Sequence, residues 1–174
     1  LIVDEVQTGV GRTGTWWASE HYDVTPDVMT MGKGLGGGLP LSATMYREEF
    51  DTWEPGAHTG TFRGYVPAMR AATRTIEYIE AQDLRSHASD LGDHVLSRLQ
   101  SEVGSNPHVG DVRGKGLFIG IELVTEDGSP APELLEAIRT DCFERGVIVW
   151  AGGRRDHVIR LLPPLVMTRE QADV

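Results

Sequence analysis

Apolar positions along the chain follow two periods, and the change between them divides it. Leu1-Ile2-Val3 is a β-branched apolar run, so Leu1 to Asp4 reads as a buried strand. Asp27 to Met31 and Leu41 to Tyr46 are strand-like as well. Two glycine-rich segments follow the first two strands, Gly9-Val-Gly-Arg-Thr-Gly14 and Gly32-Lys-Gly-Leu-Gly-Gly-Gly-Leu-Pro40. The second is so dense in glycine that a loop with no helix is expected there. Pro55, Gly56, Gly60 and Gly64 mark residues 54–64 as loop. From Val66 the spacing becomes three and four. Val66, Met69, Thr73, Ile76 and Ile79 predict one buried helical face, and Leu84, Ala88, Leu91, Val95, Leu99 and Val103 predict a second helix ending near Gly104.

Strands are expected again at Val109 to Val112 and Leu117 to Val124, around Gly114 and Gly116. Ser129-Pro-Ala-Pro132 opens a helix carrying Leu134, Leu135, Ile138 and Cys142, closed by Gly146 as its C-cap. Val147 to Trp150 and Val158 to Leu162 are the last predicted strands, with a Gly-Gly-Arg-Arg-Asp turn between them. Thr168 with Gln171 three residues later is a capping-box signature for a helix that barely begins. An α/β protein is expected, with residues 1–80 in one layer, 81–104 as a connecting helix and 105–174 as a smaller α/β unit. The first residue lies in a strand and the last helix is cut short, so a fragment of a longer subunit is expected.

Composition narrows the function. With 16 Lys+Arg against 26 Asp+Glu the net charge is −10, which argues against nucleic acid or an anionic membrane surface as partner. No apolar run approaches the roughly 20 residues that span a bilayer. One cysteine precludes an internal disulfide, so a reducing, cytoplasmic setting is expected. Only two of the 16 basic residues are lysines, Lys33 and Lys115. Any chemistry needing an amine nucleophile is confined to these two.

Each candidate has a plainer reading beside it. Gly9, Gly11 and Gly14 form a GxGxxG after a strand, the pattern of a dinucleotide site. The five residues Asp4 to Thr8 between strand and first glycine, and Trp16-Trp17 just after the last, do not suit that site. Asp4 ends a strand, where carboxylates of open α/β sheets face the ligand crevice; it could equally order a loop. Lys33 is either a surface lysine or an amine held in a glycine pocket, able to lose its proton and attack a carbonyl. Lys115, in Arg-Gly-Lys-Gly, reads as an exposed turn residue. His87 and His94 share a helix face, but the six histidines show no metal-ligand spacing, so no metal is expected. Ser42 lacks a nucleophile-elbow context and Cys142 reads as core. Arg160, inside Val158-Ile-Arg-Leu-Leu-Pro-Pro-Leu165, should meet a carboxylate, either the protein's own or a substrate's.

Five motifs in order resemble the class III pyridoxal-phosphate aminotransferases of fold type I. They are Asp4-Glu-Val-Gln-Thr-Gly-Val-Gly-Arg-Thr-Gly14, the Lys33 loop, His58-Thr-Gly-Thr-Phe-Arg-Gly64, Arg113-Gly-Lys-Gly-Leu117 and Arg160-Leu-Leu-Pro-Pro-Leu-Val166. In motif detail the chain looks most like the diaminobutyrate–2-oxoglutarate transaminases. The resemblance implies the C-terminal part of a large domain and most of a small one. It implies that Lys33 forms a Schiff base with pyridoxal 5'-phosphate and then shuttles a proton. It further implies that Asp4 pairs with the pyridinium nitrogen, Val6 packs on the ring and Gln7 bonds the 3-oxygen. Thr61 would reach the phosphate of the other subunit of a homodimer, and Arg160 would hold the carboxylate of 2-oxoglutarate while an ω-amino acid serves as donor. The fragment alone is expected to be inactive. An aminomutase or epimerase of the same family, or a nucleotide-binding module at Gly9–Gly14, remains open at this point.

Overall fold

The computed structural model describes residues 1–174, which divide into two compact units, Leu1–Ser86 and His87–Val174. The first unit holds a three-stranded sheet of β1 (Ile2–Asp4), β2 (Val28–Met31) and β3 (Ala43–Tyr46) in that order. β1 and β2 are parallel, with Asp4 opposite Thr30, and β3 returns antiparallel to β2. Met29 and Met31, on one face of β2, are buried with Val10. Helix α1 (Val66–Ala81) packs on the segment that follows β2.

Two expectations for this unit are corrected. The glycine loop after β2 contains one turn of 3₁₀-helix, Lys33–Gly36, closed by Gly37 in the left-handed region. A four-residue 3₁₀ turn fixes too few residues for glycine's entropy cost to forbid it. The buried face of α1 is also rotated from the predicted one. Ala68, Ala72 and Ile79 are buried, whereas Val66 and Met69 are 72% and 52% exposed. The glycine turn brings backbone close to the helix. A methyl on Gly37 would lie 2.4 Å from Thr75 Oγ1 and 3.3 Å from the Ala71 carbonyl oxygen. Small residues fit such an approach, and Val66 and Met69 are turned outward.

The second unit is led by α2 (Leu84–Val103), which begins just before the division between the units. Its sheet has the order β4 (Val109–Lys115), β5 (Phe118–Leu123), β7 (Val158–Leu161), β6 (Trp150–Gly152), with every neighbouring pair antiparallel. Helix α3 (Pro132–Glu144) covers one core of Leu123, Ala131, Leu135, Val149 and Ile159, against which Cys142 packs. A second core joins Ala88 and Leu91 of α2 to Leu117, with Leu165, Met167 and Ala172 against it. The short helix α4 (Arg169–Ala172) carries the expected capping box: the Gln171 amide donates to Thr168 Oγ1 at 3.2 Å, and the Thr168 amide to Gln171 Oε1 at 2.9 Å.

Strand β6 starts where the sequence pattern ends it. The Val147 amide donates to the Cys142 carbonyl at 2.8 Å and the Gly146 amide to Phe143 at 3.0 Å, closing α3 as a Schellman turn with Gly146 at positive φ. That turn uses the Val147 amide before it can join a ladder, so pairing begins at Trp150. No helix of the chain is long and apolar enough to cross a membrane.

Candidate active site

Because β1 and β2 run parallel, their carboxyl ends lie side by side, and the candidate chemistry collects there. Asp4 is the last residue of β1 and is exposed. Its Oδ1 accepts from the Val6 amide at 3.0 Å and from the Thr30 hydroxyl at 3.2 Å. Neither donor carries a full positive charge, so the carboxylate is oriented without being neutralised. Lys33 lies two residues beyond the end of β2 and is exposed. Its φ of +46° is in a region that a side chain with a Cβ seldom occupies. Strain of this kind is held only where the surroundings impose it, and it collects at functional positions. Val6 is half-buried, and its two methyl carbons would stand 3.6 and 3.8 Å from a Cβ placed on Gly32, the residue before Lys33. Gln7 follows, also half-buried.

The glycine loop after β1 is internally bonded. The Gly9 amide donates to the Glu5 carbonyl at 3.0 Å, Val10 to Trp16 at 2.8 Å and Gly14 to Gly11 at 3.1 Å. These are the groups that would have to face a pyrophosphate, and they are spent within the loop. The next element is a five-residue 3₁₀ segment, Ala18–Tyr22, where a dinucleotide site needs an α-helix. The geometry disfavours a nucleotide-binding module at this loop.

The sequence reading passed over two contributors to this region. Glu5 is 1% exposed; its Oε1 accepts from the Ser19 amide at 2.9 Å and its Oε2 from the Thr8 hydroxyl. It pins both ends of the loop that follows Asp4. Arg12 of the same loop is half-buried, and desolvation lowers its pKa from the ordinary arginine value. Thr30 is the second, placed on Asp4 by the strand register. Its signal was present in the Val-Met-Thr-Met alternation, which puts Thr30 and the two methionines on opposite faces.

Thr61 is exposed at the start of a turn, in a loop drawn together by the Arg63 guanidinium donating to the His58 carbonyl. Arg160 belongs to the second unit, half-buried at the middle of β7 between Gly120 of β5 and Trp150 of β6. Its Nε and Nη2 both donate to the Ala151 carbonyl oxygen, at 3.2 and 2.9 Å. Lys115 is exposed at the end of β4. The histidines of α2 hold the C-terminal segment. His87 Nε2 lies 2.8 Å from the Met167 carbonyl oxygen, and His94 Nε2 lies 2.7 Å from Asp173 Oδ1.

Residues 1–174 match the family described as aminotransferase class-III. A diaminobutyrate–2-oxoglutarate aminotransferase of Rhizobium meliloti (strain 1021) is 43% identical over 181 residues, covering 99% of this chain and 38% of that protein. An alanine/serine racemase of Pyrococcus horikoshii is 42% identical over 173 residues, covering 99% and 36%. The chain therefore spans less than two-fifths of the length of these curated relatives. The crystal structure of a Bacillus anthracis aminotransferase superposes with a TM-score of 0.90 at 36% identity, covering 99% of this chain and 42% of that one. The mixed α/β architecture is that of the pyridoxal-phosphate enzymes of fold type I, and the matched family depends on that cofactor. On a match that runs from the first residue to the last, this chain belongs to the class III aminotransferases.

Proposed function

We propose that the protein of which these residues form part is a pyridoxal-phosphate-dependent transaminase, moving an amino group from an ω-amino acid to 2-oxoglutarate. The donor is of the diaminobutyrate, 4-aminobutyrate or ornithine type. The observation that carries the reading is the placement of a carboxylate, Asp4, at the carboxyl end of one strand and of a lysine with positive backbone φ, Lys33, just past the carboxyl end of its parallel neighbour.

That donor set fits the cofactor. An aldehyde needs an amine and a protonated pyridine nitrogen needs a carboxylate; Lys33 and Asp4 supply one each. Lys33 would hold the aldehyde carbon, Asp4 the proton on the ring nitrogen, Val6 one ring face and Gln7 the 3-oxygen. When bound, pyridoxal phosphate supplies the electron sink that makes a carbon–hydrogen bond beside the amine acidic. Lys33 would act as the base that takes that proton from the substrate carbon and as the acid that passes it to the cofactor carbon. Arg160 receives the carboxylate of the keto acid, which its planar fork suits. Thr61 would donate to the cofactor phosphate of the neighbouring subunit, so that a homodimer would complete the site. Residues 1–80 then belong to the large domain, 81–104 link it onward and 105–174 belong to the small domain.

The test is glutamate formation from 2-oxoglutarate by the full-length protein with each ω-amine donor, diaminobutyrate first. The Lys33→Ala variant is expected to lose both turnover and the visible absorbance of lysine-bound cofactor; retention of that absorbance would remove Lys33 from its role. Identity with the alanine/serine racemase favours a second reading, an epimerase or aminomutase of the same family. It would isomerise an amino acid and form no glutamate with any donor.

A further inference from the structure

Arg160 is a long cation in the middle of a strand, and its usefulness depends on where its guanidinium is held. On the face that carries it, two of the nearest cross-strand positions are glycines. Arg160 stands between Gly120 and Trp150, while Gly152 and Glu122 flank Val158 in the next row. Gly152 is thus the diagonal neighbour of Arg160, within reach of a long side chain. The arginine stem lies across it. A methyl group built on Gly152 would stand 2.5 Å from both Cδ and Nε of Arg160 and 2.9 Å from Cγ. Strand β6 is the edge of the sheet, and the Ala151 carbonyl oxygen on it takes the hydrogen bonds from Nε and Nη2.

We propose that Gly152 is a positioning residue for Arg160: its missing side chain leaves the slot in which the arginine stem lies, and the Ala151 carbonyl then fixes the plane of the guanidinium that receives a substrate carboxylate. The inference rests on the carboxylate-binding role of Arg160 proposed above. The two glycines beside the arginine are not equivalent. A methyl on Gly120 meets only Val158 Cγ1 at 3.1 Å and the Ile159 carbonyl oxygen at 4.0 Å, and touches no atom of Arg160. Gly152 also lies outside the positive-φ region, so alanine is conformationally acceptable there. What must give way is a flexible side chain and not the strand. Alanine at position 152 therefore displaces Arg160 selectively.

The experiment uses the full-length, cofactor-loaded protein and glutarate, a dicarboxylate without the keto group and so unable to turn over. Calorimetry measures glutarate affinity for wild type, Gly152→Ala, Gly120→Ala, Arg160→Ala and the Gly152→Ala/Arg160→Ala pair. Gly152→Ala is expected to weaken glutarate about tenfold or more, the scale of a charged hydrogen bond lost. It should also raise the KM for 2-oxoglutarate while leaving the rate of the amino-donor half-reaction unchanged, which a general loss of structure would not do. Gly120→Ala is expected to bind as wild type. In the Arg160→Ala background the three atoms nearest the added methyl are gone, so Gly152→Ala should change glutarate affinity and Tm far less than it does alone. That background also decides the matter if Gly152→Ala alone is poorly folded. If Arg160→Ala weakens glutarate and Gly152→Ala does not, or if the two effects simply add, Gly152 does not act through Arg160. If Arg160→Ala leaves glutarate binding intact, the carboxylate role itself fails and the inference with it.

Discussion

A carboxylate that is only 1% exposed has to be answered by donors, and Glu5 is answered twice, by the Ser19 amide and the Thr8 hydroxyl. Glu5→Ala leaves the Ser19 amide buried without an acceptor and releases the loop next to Asp4. A loss of about 3 kcal/mol is expected, read as a lower denaturant midpoint at unchanged slope. Glu5→Gln, which keeps an acceptor and the shape, should cost less. This residue also marks the limit of what the sequence disclosed at this scale. Lys33 was legible because the chain offers only two lysines and one of them sits among glycines. Asp4 was legible because it closes an apolar strand. Glu5 was not: its principal partner lies 14 residues away in a loop, and nothing in a local pattern reveals a contact of that kind. The same holds for Gly152, where the relevant neighbour crosses from another strand.

At the scale of elements, periodicity located both long helices and most strands but misjudged which side of α1 is buried. Hydrophobicity ranked Val66 and Met69 above Ala68 and Ala72, whereas close backbone approach rewards small side chains. The same close packing appears on α2. A Cβ on Gly92 would lie 2.2 Å from the Gly116 carbonyl oxygen, a backbone atom that cannot swing aside. Gly92→Ala should therefore destabilise by about 3 kcal/mol despite alanine's better helix propensity, and thermal melting of the second unit's signal checks it. The docking of α4 onto α2 carries a pH dependence. Hydrogen bonds from His94, and after it Arg98, hold the Asp173 carboxyl below the usual carboxylate range. A carboxyl whose pKa is lower when docked contributes stability above its undocked value, near 4, and loses it as pH falls through the docked value. The protection factors of the amides at residues 169–173 should accordingly fall once the pH drops below about 4. In Asp173→Asn they should be low already at neutral pH, with that acid step gone.

For the whole molecule, the proposed reading is one in which a single chain does not complete the site, because Thr61 would serve the cofactor phosphate of the other subunit while Lys33 and Asp4 would serve their own. In a two-fold symmetric dimer each site then takes Lys33 from one protomer and Thr61 from its partner. This division makes a complementation experiment decisive. Lys33→Ala dimers have no amine at either site and are expected to be inactive; Thr61→Ala dimers lack a phosphate donor at both and are expected to hold cofactor weakly. When the two full-length variants are dissociated together and reassociated, random pairing gives mixed dimers in about half of the population. Each mixed dimer contains one site with both residues intact and one with neither. Activity should return to about a quarter of the wild-type value at limiting cofactor, well above the sum of the separate variants. If Lys33 and Thr61 serve the same subunit's site, every site in a mixed dimer carries one lesion, and mixing restores nothing.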